Sequence, residues 1–225
     1  MDLSKSKDFF DPTKITEEIN IIGCGSIGSV LAELLVRTGV KTTINLFDFD
    51  IVEPHNMTNQ LFYSEDIGHL KVEAVRDNMI RINPDLKRYI NIYPKGWDGE
   101  MLKGYVFLAA DSMEVRNKIA KDNKYNPYIL FMCDFRTRLT DAQHYAANWK
   151  NEEQKDTFIA SMDFSDSEAL EATPTSACGT TLSVAPTIRD IVGKGVANWM
   201  NFIIDNNKIK NVILSDAFSF VVDTF

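Results

Sequence analysis

The first two thirds of the chain alternates short apolar runs with stretches whose apolar residues recur every three to four positions. Runs at 19–22 and 42–47 are rich in apolar and β-branched residues, as strands buried on both faces require. Between them, 26–38 sets Ile27, Val30, Leu31, Leu34 and Leu35 on one helical face, and Gly39 offers a C-terminal stop. A polar loop over 49–66 leads into a second amphipathic pattern, 70–82, carried by Leu70, Ala74, Val75, Met79 and Ile82; Pro84 blocks its continuation. Strands are expected at 88–93, 105–110 and 128–132, with a helix over 112–122. From Ala142 the pattern predicts a strand running the other way, 182–204 reads as a long helix, and 211–225 as two short strands with Asp216 and Ala217 in the turn. Residues 150–177 hold no glycine, many acidic and serine residues and little periodicity, so they are expected to form a mobile crossover loop. The alternation predicts one α/β domain over 1–225: a doubly wound, mostly parallel sheet with an antiparallel C-terminal extension.

The first strand runs into Gly23, Gly25 and Gly28 at Gly-x-Gly-x-x-Gly spacing, and the second ends in Asp48, twenty residues beyond Gly28. Each part has a physical task in holding a nucleotide in a Rossmann-like fold. The first glycine permits the tight strand-to-helix turn, the second lets phosphate approach the backbone, and the third lets helix and strand pack closely. The helix N-terminus presents free N–H groups, and the aspartate can accept ribose hydroxyls. A tight βα turn without ligand is the bland alternative, but strand, glycines, helix, strand and acid all stand in register.

Four further features narrow the chemistry. The loop after Asp48 adds Asp50, Asn56, Asn59 and Gln60, which suits a triphosphate with its metal better than a dinucleotide; a polar loop capping the next helix is the competing reading. Gly68 opens the second helix and Lys71 stands one turn inside it, where it either reaches the phosphates as a point charge or remains a solvated surface lysine. Asp111 follows a buried strand, at the sheet edge where ligands of open α/β folds bind, and can hold Mg²⁺ or cap the following helix. Cys178 sits among small residues before the last helix, as a nucleophile or as a packing residue.

Bulk properties exclude several function classes. A net charge of −8 argues against a general role in binding nucleic acid or anionic membrane. No apolar run approaches the length of a membrane span, and the N-terminus lacks the apolar core of a signal peptide. Cys24, Cys133 and Cys178 are far apart and form no Cys-x-x-Cys pair, so no zinc site is expected and a reducing cytoplasm is. His55, His69 and His144 show no metal-ligand spacing and are read as surface or loop residues.

Together, these motifs resemble the ThiF/MoeB/HesA group of adenylyltransferases, relatives of the ubiquitin-activating enzymes. The resemblance runs from Ile19 to Ile204 and is densest over 19–84, from the glycine turn through Asp48, Asp50, Asn56, Gln60 and Lys71 to Arg81-Ile-Asn-Pro84; it resumes from Ala110-Asp111 to Arg116. It implies MgATP-dependent activation of the C-terminal carboxylate of a small ubiquitin-like or sulfur-carrier protein as an acyl-adenylate, by a homodimer. On these positions Gly23, Gly25 and Gly28 would line the phosphates, Asp48 the ribose, Lys71 would neutralise phosphate charge and Asp111 would hold magnesium. Cys178 would then join the carrier in a thioester or disulfide, or be purely structural. The family's Asn-x-x-Arg-Gln loop reads Asn56-Met-Thr-Asn59-Gln60 here, so asparagine replaces a phosphate-facing arginine. One lost preorganised donor costs on the order of 10²–10³ in rate. The N-terminal arm carries no arginine either, and the segment from Cys133 to Gly179 is similar to short bacterial and phage members of the family. Two alternatives stand beside this: a catalytically weak nucleotide-binding partner or scaffold, motivated by the missing arginines, and an NAD-dependent oxidoreductase, which leaves Asp50, Lys71 and Asp111 without a role.

Overall fold

A computed structural model describes residues 1–171, Thr175 and 182–225. Strands β1 (Ile19–Ile22), β2 (Ile44–Phe47), β3 (Ile90–Tyr93), β4 (Gly104–Leu108), β5 (Ile129–Thr137), β6 (Asp141–Asn148), β7 (Val212–Asp216) and β8 (Val221–Thr224) form one eight-stranded sheet. Their order is β3-β2-β1-β4-β5-β6-β7-β8. From β3 to β5 neighbours run parallel, and from β5 to β8 antiparallel, so the expected antiparallel extension is present.

Helices α1 (Ser26–Arg37), α2 (Lys71–Ile82) and α6 (Ala185–Ile204) bury one face of the sheet, and α3 (Met113–Asp122) with α4 (Glu152–Ala160) covers the other. Side chains alternate accordingly. Ile19, Ile21, Leu46, Phe107 and Phe131 face the first layer, whereas Ile22, Phe47, Val106, Leu108 and Met132 face the second. The indole of Trp199, on α6, meets Phe10, Tyr105 and Phe107 at 5.5–6.0 Å between ring centroids. Gly39 has φ +90° just past α1, in the left-handed stop that its position predicts.

A polar row crosses the second face. Asn20, Asn45 and Asn91 stand opposite one another on β1, β2 and β3. Asn45 Nδ2 donates to Asn20 Oδ1 at 2.9 Å, Asn91 Nδ2 donates to Asn45 Oδ1 at 3.0 Å, and Asn20 Nδ2 donates to the Lys103 carbonyl at 2.7 Å.

The segment expected to be a mobile crossover loop contains two helices, α4 and α5 (Asp166–Glu171). On α4 only Lys155 and Phe158 are buried, so no apolar stripe marks it in the sequence. Tertiary contacts hold it: Phe158 packs edge-on against Trp149 at 5.8 Å, and Lys155 Nζ donates to Glu152 and to the Lys124 carbonyl. No helix among the described residues is long and apolar enough to cross a membrane.

Candidate nucleotide site

Strand order reverses at β1, which has β2 on one side and β4 on the other. Ligands of open α/β sheets bind in the crevice outside the carboxyl ends of the strands at such a switch point. Gly23 leaves β1 there and Asp111 leaves β4. The two turns abut: a Cβ on Gly23, whose φ is +97°, would stand 2.5 Å from the Ala110 nitrogen. A Cβ on Gly28 would lie 1.9 Å from the Gly23 carbonyl oxygen. These two glycines are therefore required by packing. Gly25 is different, because its missing Cβ would meet nothing nearer than Gln60 Oε1 at 3.9 Å. Gly25 is also the N-cap of α1, which has no side-chain cap and no acidic residue in its first turn. Space over Gly25 and unfilled N–H groups at the helix start suit an anion.

Asp48 ties the ends of β1 and β2 together. Its Oδ2 accepts the Cys24 N–H at 2.6 Å and its Oδ1 accepts the Asp50 N–H at 2.8 Å. Burial raises its pKa; these two N–H bonds and the nearby Lys71 pull the other way. Each carboxylate oxygen keeps a lone pair free for a ribose hydroxyl. Lys71, buried at the start of α2, donates from Nζ to Asp50 Oδ2 at 2.7 Å, and its N–H donates to the Asp50 carbonyl at 2.9 Å. Asp50 thus anchors the lysine at the edge of the crevice, with ammonium protons still available to phosphate.

The amides of the loop divide by role. Asn56 is buried and its Oδ1 accepts the Glu53 N–H at 2.9 Å, which shapes the loop. Asn59 closes the 3₁₀ turn Pro54–Thr58, its N–H reaching the Asn56 carbonyl at 3.4 Å. Gln60 Oε1 is buried without a hydrogen-bond partner and lies over Gly25. An orphaned polar atom beside the open glycine fits contact with a ligand.

Asp111 is exposed and its Oδ1 accepts the Ser112 N–H at 2.9 Å. Ser112, not Asp111, is the N-cap of α3, with its Oγ accepting the Val115 N–H at 3.2 Å. That corrects the capping alternative and leaves the Asp111 carboxylate largely uncommitted. Among the described residues no group of three or more His, Cys, Asp or Glu is arranged to hold a metal ion. A single hard carboxylate at the crevice nevertheless fits Mg²⁺ that takes its other ligands from phosphates and water.

Other expectations fare differently. Cys178 lies outside the described residues. Cys24 and Cys133 are buried free thiols, and burial pushes both well above the usual thiol range, so neither is poised to react. His55 and His69 are exposed as expected, but His144, expected at the surface, is fully buried on β6. There its ring packs 4.7 Å from Phe135, its Nε2 lies 3.2 Å from Asn198 Nδ2, and burial lowers its pKa to about 4.

One buried network lay beyond the reach of the sequence. Arg116 Nη1 donates to Asp134 Oδ1 at 2.7 Å and to the Phe135 carbonyl at 2.6 Å, while Nε and Nη2 both donate to the Ala110 carbonyl, next to Asp111. Asp134, wholly buried, also accepts from Arg136 Nε at 2.6 Å. The only available signal was Arg116 itself, one turn beyond Ser112 on the same helix.

A family model described as ThiF family matches residues 14–133, a span that includes every candidate residue from Gly23 to Asp111. Ubiquitin-like modifier-activating enzyme 5 of Caenorhabditis elegans is 49% identical over 70 residues, covering 31% of this chain and 16% of that protein. The Xenopus laevis protein of the same name is 38% identical over 78 residues, covering 35% of this chain and 19% of its own length. Among solved structures, E. coli MccB with ATP superposes with a TM-score of 0.69 at 16% identity, over 95% of this chain and 65% of that one. PaaA superposes at 0.63 and 17% identity, over 95% and 64%. These two show a shared fold. The chain thus matches under a fifth of the curated relatives' length and just under two thirds of the solved chains.

Proposed function

Because this chain belongs to the ThiF family, we propose that it is an ATP-dependent adenylyltransferase acting on the C-terminal carboxylate of a small ubiquitin-like or sulfur-carrier protein. The observation that carries the proposal is the abutment of the Gly23 and Asp111 turns at the switch point, with Gly25 open above α1. ATP would lie with its phosphates over Gly25 and the α1 N-terminus, and its ribose against Asp48. Lys71, held by Asp50, would supply positive charge from the α2 side. The carrier's carboxylate oxygen then attacks the α-phosphorus. A new C(O)–O–P bond forms as the bond to the bridging oxygen of pyrophosphate breaks, and pyrophosphate takes that electron pair. No proton need move, which suits a site whose groups act by orientation and by stabilising charge. Asp111 would hold Mg²⁺, which when bound offsets the charge on the phosphates. A homodimer belongs to the same proposal.

ATP–pyrophosphate exchange tests it, with a small ubiquitin-like protein ending in Gly-Gly supplied as carrier. Exchange above the level of the Asp111→Ala variant is the expected result. Asn59 favours a second reading, in which the chain binds nucleotide as a partner or scaffold and turns over poorly. MgATP binding without exchange above the Asp111→Ala control would select that reading. Tighter binding of NAD than of MgATP would overturn both.

A further inference from the structure

Asp111 does not stand alone at the end of β4; the turn that carries it is gripped from two sides. On the inner side, the Arg116 guanidinium holds the Ala110 carbonyl. On the outer side, Asp166 of α5 reaches across from a distant part of the chain. Its Oδ2 accepts the Ser112 hydroxyl at 2.8 Å, and its Oδ1 accepts the Met113 N–H at 2.5 Å and the Glu114 N–H at 3.3 Å. Ser112 already caps α3 through the Val115 N–H, so the helix has a local cap without Asp166. What Asp166 adds is a fixed position for Ser112, whose own N–H holds the Asp111 carboxylate.

The inner and outer grips also meet. Arg116 is bonded to Asp134, Asp134 to Arg136, and Arg136 donates from Nη1 and Nη2 to the Ser161 carbonyl and hydroxyl at 2.8 and 2.9 Å. Ser161 directly follows α4, five residues before Asp166. The guanidinium carbon of Arg136 lies over two aromatic rings, 4.1 Å from the Tyr145 centroid and 5.3 Å from that of Phe164. Polar contacts therefore run from the Asp111 turn through the sheet to Ser161, the chain itself spans Ser161 to Asp166, and Asp166 returns to the turn through its own hydrogen bonds.

We propose that Asp166 is a positioning residue that aims Asp111 at the cation accompanying the nucleotide; this rests on the reading of Asp111 given above. The partners behind a metal ligand orient it and typically govern affinity by about 10–100-fold. Removing Asp166 frees Ser112 and the first two amides of α3, so Asp111 loses its fixed aim. Contacts to the nucleotide at Gly25 and Asp48 are untouched.

The test is calorimetric titration with ATP at stepped MgCl₂ concentrations and in EDTA, together with hydrogen exchange at the Met113 and Glu114 amides. Asp166→Ala should raise the Mg²⁺ concentration giving half of the metal-dependent gain in affinity by about 10-fold, and leave affinity in EDTA unchanged. Asp166→Asn keeps an oxygen acceptor and should stay within about 3-fold of the parent. Ser112→Ala, which keeps the Met113 bond, should fall between them and serves if Asp166→Ala does not fold. Faster exchange at Met113 and Glu114 with an unmoved Mg²⁺ midpoint would make Asp166 a structural cap only. An equal loss in EDTA and in Mg²⁺ would also overturn the proposal. If Asp111→Ala leaves the midpoint unmoved, the assignment of Asp111 fails and Asp166's role falls with it; if Asp111→Ala moves it and Asp166→Ala does not, only the present inference fails.

Discussion

The half of the sheet around β1 and β2 presents its chemistry through the backbone, whereas the half around β5 and β6 presents it through buried side chains. Near β1, the cradle is made of an uncapped helix start, the open face of Gly25 and N–H groups that hold Asp48. Near β5, Asp134, Arg116, His144 and Asn198 are all buried. Asp134 and Arg116 bond each other, and Arg116 also reaches the Phe135 carbonyl. Asn198 bonds the Lys210 carbonyl and lies against His144 Nε2, while His144 Nδ1 has no partner among the described residues. A backbone cradle is tolerant of charge change but intolerant of added volume. A buried polar network has the opposite sensitivity, because a lost partner leaves a charge in low dielectric.

Asp134→Ala should show the second sensitivity most strongly. It strands Arg116 and Arg136 in the interior and should cost about 3–5 kcal/mol in urea unfolding. A loss below about 1 kcal/mol would mean that water or the aromatic rings satisfy the arginines unaided. Next in size, Gly28→Ala should cost about 3 kcal/mol, because its methyl group meets the Gly23 carbonyl. Gly25→Ala is the informative partner: stability should change by less than about 1 kcal/mol while ATP affinity falls on the order of 10-fold. Equal destabilisation by both alanines would erase the distinction between packing and ligand-facing glycines.

An effect confined to mild acid concerns His144, whose pKa falls from 6.5 to about 4 on burial. The folded state prefers the neutral ring, so its contribution is complete above pH 6.5 and is lost as pH falls toward 4. By pH 5 the loss should reach about 2 kcal/mol. In a His144→Gln variant the stability curve should lack that increment between neutrality and pH 5, while the carboxylate-driven fall at lower pH persists.

The same division explains what could be read from the chain in advance. Strands and helices from β1 to α3 follow from apolar periodicity, and the open glycine turn proposed as the nucleotide cradle follows from glycine spacing, because a backbone site is written in consecutive residues. Helix α6 was also legible, beginning at Ala185 rather than 182, with Pro186 in its first turn. Helices α4 and α5 were not, since a helix with Lys155 and Phe158 as its buried contacts shows no stripe. The Asp166 contact joins residues 53 positions apart, and Arg116 reaches Asp134 across 18. No local pattern encodes such pairings. His144 misled for a related reason: a lone polar residue in a strand gives no sign that the sheet will be covered on that side.

The asparagine row on the sheet has a consequence at a distance. Asn20 and Asn45 each have aliphatic neighbours on both sides, so sliding β2 by a single step would set an amide against isoleucine or leucine. Three residues beyond Asn20 comes Gly23, and three beyond Asn45 comes Asp48. The amides act as index marks on a slide rule: by fixing where the two scales align, they determine where the carboxylate stops relative to the glycine turn. The accuracy with which the Asp48 carboxylate is placed is thus set partly by residues that the proposed nucleotide would not touch.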